Sequence, residues 1–203
     1  AAEANYQMFW EAIRPLLIDK PEELEHLDAI RDGFTTSMNQ EMENMWAQKL
    51  GLINYDSSLV NELLQLMIDS KVDYTIFFRK LSNIPDNSTD LNESFYVPCS
   101  EQIAYKWDSW LTRWCDHLKS RGNHKEISAE LKRINPKYTW REWLIAPAYE
   151  KAEQGDYSLI KELQSVLANP YDEQTFDIEK KYDCLKPKRF FAAGGISHYS
   201  CSS

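Results

Sequence analysis

Apolar positions recur at helical spacing along most of this chain. From Asn5 to Ile18 the residues Tyr6, Phe9, Trp10, Ile13 and Leu17 fall at i, i+3, i+4, i+7 and i+11, which puts them on one face of a helix. Pro21 is suited to the first turn of a second helix, with Glu22, Glu23 and Glu25 where the helix dipole favours acids. That pattern runs through Leu24, Leu27, Ile30, Phe34, Met38, Met42, Met45 and Trp46 to Leu50, and Gly51 supplies a stop. It reads either as one long helix or as two joined by a kink at Gly33. Asp56-Ser57-Ser58 caps a helix carrying Val60, Leu63, Leu64 and Met67. After a connection at 70–73, a further helix carries Tyr74, Phe77, Phe78 and Leu81.

Residues 85–94 (PDNSTDLNES) are polar and turn-rich, and read as a loop, either mobile or a boundary between helical subdomains. Ser100-Glu101-Gln102-Ile103 opens the next helix. Its residues Trp107, Trp110, Leu111, Trp114 and Leu118 share one side, and Arg121-Gly122-Asn123 closes it. A helix around Ile127, Leu131 and Ile134 stops at Asn135-Pro136. Tyr138 to Glu153 reads as a helix with Pro147 as a point of kinking, and Gly155-Asp156 links it to Ser158–Leu167 as a helical hairpin. Asn169-Pro170 ends the regular structure and leaves an extended tail.

The fold class expected is therefore all-α: a multi-helix bundle with helical hairpins and an extended C-terminal tail. The expected organisation is a helical subdomain at 1–84, a loop at 85–98, a helical hairpin subdomain at 99–168 and a tail at 169–203. No β-alternation and no fixed repeat period is present. The hairpin at 138–167 has the length of a tetratricopeptide unit but occurs once, so a helix-repeat adaptor is a weak alternative.

At 203 residues with 43% hydrophobic and 13% aromatic content, the chain can bury a sizeable core and is unlike a disordered polypeptide. Acidic residues number 32 against 23 basic, a net charge of -9, which argues against nucleic acid as a partner because phosphate binding needs a basic face. The densest basic run, Lys180, Lys181, Lys186, Lys188 and Arg189, is broken by Tyr182, Asp183, Cys184 and Pro187 and reads as a solvated face. No apolar run is long enough for a membrane helix. The first residues lack the basic start of a signal peptide and the Arg/Ser richness of a transit peptide, and read as the interior of a longer polypeptide.

Candidate chemistry is sparse. The glycine doublet Gly194-Gly195 has no Lys-Ser/Thr after it and no strand before it, so it reads as a turn rather than a phosphate loop. The kinase motifs are absent. Asp28 and Asp32 share a helix face and read as its solvated side. His26, His117 and His124 read as surface or capping residues. The cysteines Cys99, Cys115, Cys184 and Cys201 have no CxxC or zinc-ligand spacing, which fits a reducing or mixed compartment. Cys115 lies among tryptophans, where burial keeps a thiol inert. Cys201 sits near the free end with His198 three residues before it, a cation able to favour thiolate. The Asn87-Ser88-Thr89 triplet is a chance glycosylation match.

Four stretches together resemble one family: MNQEMENMWAQKLGL (38–52), DYTIFFRKLSNI (73–84), INPKYTWREWLIAPAYEKAEQGDYSLIKELQSVLANPYDEQ (134–174) and SCSS (200–203). Their order and spacing are similar to the C-terminal region of the selenoprotein O family, over 38–203 more closely than over 1–37. The resemblance implies a kinase-like protein that binds ATP in an inverted pose and, with Mg or Mn, transfers AMP to Ser, Thr or Tyr hydroxyls of protein substrates. The nucleotide and metal residues belong to the kinase-like core upstream. No catalytic, cofactor-binding or metal residue is therefore expected in this chain, and it is not expected to be catalytic alone. Its partner is expected to be that core, with no nucleic acid and no membrane. By family resemblance the setting is the bacterial cytoplasm or the mitochondrion. The antepenultimate position, a redox-active cysteine or selenocysteine in the family, is here Cys201, which the resemblance implies is redox-regulatory. One departure is LKPKRFFAAGGISHY (185–199) where many members carry Pro-Pro-x-Trp-Gly. The competing reading is a free-standing helical interaction module that binds a partner through Trp107, Trp110 and Trp114.

Overall fold

The computed structural model describes residues 2–191, and Cys201, His198 and the Gly194-Gly195 doublet lie outside them. Among the described residues the regular structure is helical, with one isolated β-bridge between Val72 and Phe95. The long elements are α1 (Ala2–Ile13), α2 (Pro21–Leu50), α3 (Ser57–Asp69), α4 (Tyr74–Leu81), α5 (Glu101–Lys119), α6 (His124–Ile134), α7 (Glu142–Glu153), α8 (Ser158–Ala168) and α9 (Phe176–Tyr182). No helix among the described residues is long and apolar enough to cross a membrane. The chain divides into two compact units, residues 1–47 and 48–203. The division falls inside α2.

The first unit is a helical hairpin. Pro15, lacking an N–H, tightens the end of α1 into a 3-10 turn at Arg14–Leu17. α2 then runs unbroken through Gly33, which resolves the one-helix-or-two alternative. The hairpin is held by a Tyr6–Phe34 ring stack at 4.3 Å, by Trp10 Nε1 donating to Asp28 at 2.9 Å, by Arg31 over the Trp10 ring and by Thr35 donating to Glu3. Asp28 is thus a half-buried acceptor rather than part of a purely solvated face.

In the second unit, α3, α4 and α5 bury Trp107, Trp110, Trp114, Phe77, Phe78, Leu59 and Leu63 completely or nearly so. α3 and α4 start where Asp56 and Asp73 cap the N–H groups of Leu59 and Ile76. Each buried indole N–H finds an acceptor: Trp107 the Ser70 hydroxyl at 3.2 Å, Trp110 the Leu59 carbonyl at 2.9 Å and Trp114 the Leu50 carbonyl at 2.8 Å. The rings form a ladder, with Phe77 against Trp107 at 5.2 Å, Trp107 edge-on to Trp110 and Trp110 stacked on Trp114. Gly51 ends α2 at φ 66° in close quarters: an added Cβ would lie 3.1 Å from Arg121 Nη1 and 3.2 Å from Leu131 Cδ2.

Residues 85–98 are more ordered than their composition suggests. They contain a 3-10 helix at Ser88–Ser94, and they bury Leu91, Ser94 and Phe95. Asp73 N–H donates to the Ser94 carbonyl and Tyr96 N–H to the Lys71 carbonyl, binding the segment to the α3–α4 turn. Two serines, Ser88 and Ser94, are buried beside the apolar anchors Leu91 and Phe95, which a composition-based reading of the segment does not reveal.

α6 stops at Ile134 before Asn135-Pro136, as expected. α7 begins at Glu142 rather than Tyr138, and the helix continues past Pro147. α7 and α8 form the expected hairpin around a second, smaller core of Tyr138, Ala148, Leu163, Val166 and Tyr182. Asn169-Pro170 does not end the regular structure: α9 follows, seated by Ile178 and Tyr182 on the second core, and then a short 3-10 turn at Lys188–Phe190.

Candidate functional site

The residues with the greatest concentration of chemistry lie where the α6–α7 connection meets the α8–α9 connection. α6 ends at Asn135-Pro136 because proline cannot continue it, and this leaves the chain non-helical as far as Arg141. A bend at Lys137 turns the N–H groups of Lys137 and Tyr138 onto one acceptor, the Pro170 carbonyl, at 2.8 and 3.1 Å. Asn135, 1% exposed, has its amide saturated: its N–H groups reach the Lys49 carbonyl at 2.9 Å and the Ser82 hydroxyl, and its oxygen accepts from Lys49 Nζ.

Around this clamp is an ionic cluster. Lys137 Nζ contacts Glu173, Glu179 at 2.7 Å and Asp183 at 3.6 Å. Arg79 Nη2 donates to Glu173 at 2.6 Å, and its Nη1 donates to the Lys132 and Asn135 carbonyls. Gln174 donates to the Val166 and Asn169 carbonyls, capping the C-terminal end of α8. Burial alone would disfavour the Lys137 ammonium, but hydrogen bonds to Glu173 and Glu179 outweigh it and the pKa rises. Burial likewise opposes the Glu173 carboxylate, yet Lys137 and Arg79 hold its pKa at about 2. Asp183, more enclosed, is pushed up by burial despite Lys137.

A second pair fixes the segment after α9. Arg141 grips Asp73 through two bonds of 3.0 and 3.1 Å, and Tyr96 donates its hydroxyl to the same carboxylate at 2.9 Å. Arg141 also donates to the Cys184 carbonyl at 2.9 Å, and the Lys186 N–H donates to the Tyr96 oxygen at 3.3 Å. Burial and the adjacent Asp73 push the Tyr96 hydroxyl up to about 12. Phe190 and Phe191 rest against Trp143 and Tyr96. The chain is therefore pinned up to the last described residue.

These groups are saturated by one another. Glu173 is exposed and lines an open groove of about 460 Å³ together with Gln174, but the cluster has no nucleophile paired with a base, so its chemistry is that of a staple. Among the described residues no group of three His, Cys, Asp or Glu side chains is placed to hold a metal ion. A separate groove of about 880 Å³ is shallow and open, lined by Tyr55, Asp56, Arg113, Asp116 and His117. There His117 lies 3.5 Å from Asp56, and Arg113 pairs with Glu62.

Of the residues singled out from sequence, His26, His117 and His124 are all on the surface. Cys99, Cys115 and Cys184 are far apart in the chain and half-buried, and burial raises all three thiol pKa values. Cys201 lies outside the described residues. The aromatic face proposed for a free-standing interaction module is overturned: Trp107, Trp110 and Trp114 are each 0% exposed, so no partner can reach them. Sequence reasoning missed Arg79, Lys137, Arg141, Asp73 and Glu173 as a cluster. The signal available was that three of them lie within or beside the two Asn-Pro motifs.

Comparison with known proteins gives the chain a context. The family model described as "Protein adenylyltransferase SelO" matches residues 1–168, which includes the stretch before residue 38 where the resemblance by motif is weakest. The chain is 36% identical over 180 residues to protein nucleotidyltransferase YdiU of Tolumonas auensis, covering 84% of this chain and 34% of that protein. It is 30% identical over 214 residues to protein nucleotidyltransferase YdiU of Flavobacterium johnsoniae, covering 100% of this chain and 40% of that protein. The corresponding protein of Photobacterium profundum is 33% identical over 184 residues, 83% of this chain and 34% of that protein. The chain thus spans little more than a third of the length of these curated relatives.

Proposed function

The chain belongs to the SelO family, and from that premise we propose that it is the helical C-terminal part of a longer protein adenylyltransferase, one that transfers AMP from ATP to Ser, Thr or Tyr of protein substrates. In this reading it packs on a kinase-like core, is not catalytic alone, and works in a bacterial cytoplasm or a mitochondrion. ATP and a divalent metal bind, in this reading, elsewhere in the longer protein. That assignment is supported by the carboxylates around Lys137 being engaged by Lys137 and Arg79, and by Asp56 in the open groove capping α3. Both ligands are assigned to the part of the family's length that this chain does not span.

The observation that carries the proposal is how the Asn-Pro motifs are used. The stretches on which the family resemblance rests, 134–141 and 169–174, supply Asn135, Lys137, Arg141, Glu173 and Gln174 to the staple. They hold the tail down to Phe191, and Cys201 lies 10 residues further on (201 − 191). Ten residues of chain span at most about 35 Å, which bounds the distance over which a terminal thiol could meet a partner cysteine in the longer protein.

The test is AMP transfer from labelled ATP by the full reading frame and by this chain alone, with and without reductant. The full protein should label substrates and itself, and this chain should not. Cys201→Ser should remove the response to reductant. AMP transfer by this chain alone, or an unchanged redox response in Cys201→Ser, would refute the corresponding part of the proposal.

A further inference from the structure

The first unit has an apolar surface that its own hairpin does not use. None of its helical residues within 1–47 is buried, and Ile30, Met38 and Met42 are 50%, 38% and 47% exposed. Glu3 near the start of α1 pairs with Thr35 of α2, so α2 residues 36–47 run past the described end of α1. On that overhang Met38, Met42 and Met45 follow at i, i+4 and i+7, within about 60° of one another around the helix. Methionine is unbranched and polarizable, and on an exposed stripe it suits a surface that must mould to a partner.

Charge narrows the partner. Residues 1–47 contain ten acidic residues (Glu3, Glu11, Asp19, Glu22, Glu23, Glu25, Asp28, Asp32, Glu41, Glu43) and three basic ones (Arg14, Lys20, Arg31). That is 3 − 10 = -7 of the chain's -9. A second copy would bring the same negative face, which opposes self-association. The curated relatives are long enough that 60–66% of their length lies outside the match (100 − 40 and 100 − 34).

We propose that the methionine stripe of α2 is the docking surface for the remaining part of the family's polypeptide, which meets it with an apolar patch rimmed by Lys and Arg. The proposal rests on the reading of this chain as part of a longer adenylyltransferase and names the face by which it attaches.

Methionine oxidation by dilute hydrogen peroxide, followed by mass spectrometry, tests it on the full-length protein and on this chain in parallel. Thioether oxidation follows exposure, and Met8, 69% exposed, and Met67, 8% exposed, serve as fast and slow references. Met38 and Met42 should oxidise about tenfold or more slowly in the full-length protein than in this chain. Equal rates in the two would overturn the proposal. So would protection that appears in this chain alone as its concentration rises, because a second copy would then be the occupant. A reading frame that encodes nothing beyond this chain would overturn it as well. AMP transfer measured on the same full-length sample separates the two claims. Transfer without protection sinks the docking surface alone, and protection without transfer sinks the enzymatic reading alone.

Discussion

Replacing Trp114 by phenylalanine removes one hydrogen bond and a small volume from the centre of the second unit. The bond is the one from Nε1 to the Leu50 carbonyl at 2.8 Å. Leu50 is the last residue of α2, so its carbonyl has no intrahelical donor, and Leu50 is 0% exposed, so water cannot replace the indole. Leaving that carbonyl unpaired costs about 1–3 kcal/mol. The indole exceeds a phenyl ring by roughly 40 Å³, and at about 24 cal/mol per Å³ of cavity that adds roughly 1 kcal/mol. The expected loss is about 2–4 kcal/mol. With a urea m-value of about 2–3 kcal/mol/M the midpoint should fall by roughly 1 M or more. Near-UV circular dichroism follows the aromatic core directly. Trp140→Phe is the control, because Trp140 is 61% exposed and its replacement should stay within about 0.5 kcal/mol. If both variants unfold at the same midpoint, the capping role of Trp114 is refuted.

Tyr138→Phe should have the opposite outcome, neutral or stabilising by up to about 1 kcal/mol, because the Tyr138 hydroxyl is buried with no hydrogen-bond partner among the described residues; a clear loss in urea denaturation would reveal a partner. Asp73→Asn should cost about 3–5 kcal/mol by leaving Arg141 buried beside a neutral amide, and a double-mutant cycle with Arg141→Met should recover much of it. Glu173, held at about 2 when folded, contributes stability present above its unfolded pKa of 4.5 and lost as pH falls through about 2; Glu173→Gln should flatten thermal stability across that window, with Asp183, whose pKa is raised, sloping the other way. Among the cysteines, Cys201 should alkylate faster than Cys99, Cys115 and Cys184, whose thiols burial disfavours as thiolates, as peptide mass spectrometry after brief iodoacetamide treatment will show.

The local part of this fold was legible because the information is local. The Trp107–Trp110–Trp114 spacing predicts a buried stripe, Asp56, Ser100 and Asn135-Pro136 mark helix ends, and Gly155 marks the hairpin, all through interactions within a few residues. The illegible part depends on distant partners. The 85–98 segment looked like a loop because Leu91 and Phe95 are two apolar residues among polar ones, and their burial is decided by α4 and α5 rather than by any periodicity. Residues 138–141 have a helical composition, but the hydrogen bonds from Lys137 and Tyr138 to the Pro170 carbonyl and the Arg141–Asp73 pair keep them out of α7. Glu173 and Arg79 are 94 residues apart, and no pattern within either segment announces the other.

That distance also explains why the stretch around the two Asn-Pro motifs carries no visible chemistry. A sequence such as Asn-Pro-Lys-Tyr or Asn-Pro-Tyr-Asp-Glu-Gln offers every kind of side chain an active site uses. The difference between a catalytic group and a structural one lies in whether it has valence left for a substrate. Lys137, with three carboxylates around it, presents no free amine, and both oxygens of Glu173 are taken by Lys137 and Arg79. The two sides are not equivalent: loss of Glu173 would take a partner from Arg79 and Lys137, each 7% exposed, whereas Glu173 is 61% exposed and would be solvated by water if a cation were lost. Such a network locks register between segments that share no local signal: the end of α2 through Asn135 and Lys49, α4 through Arg79, and the tail through Pro170 and Glu173. Conservative replacements therefore separate the two roles. Lys137→Arg keeps the charge but not the compact geometry that three oxygens require, so it should lower stability while leaving any AMP transfer per folded molecule unchanged. A fall in turnover at unchanged stability would instead make Lys137 a participant in the reaction.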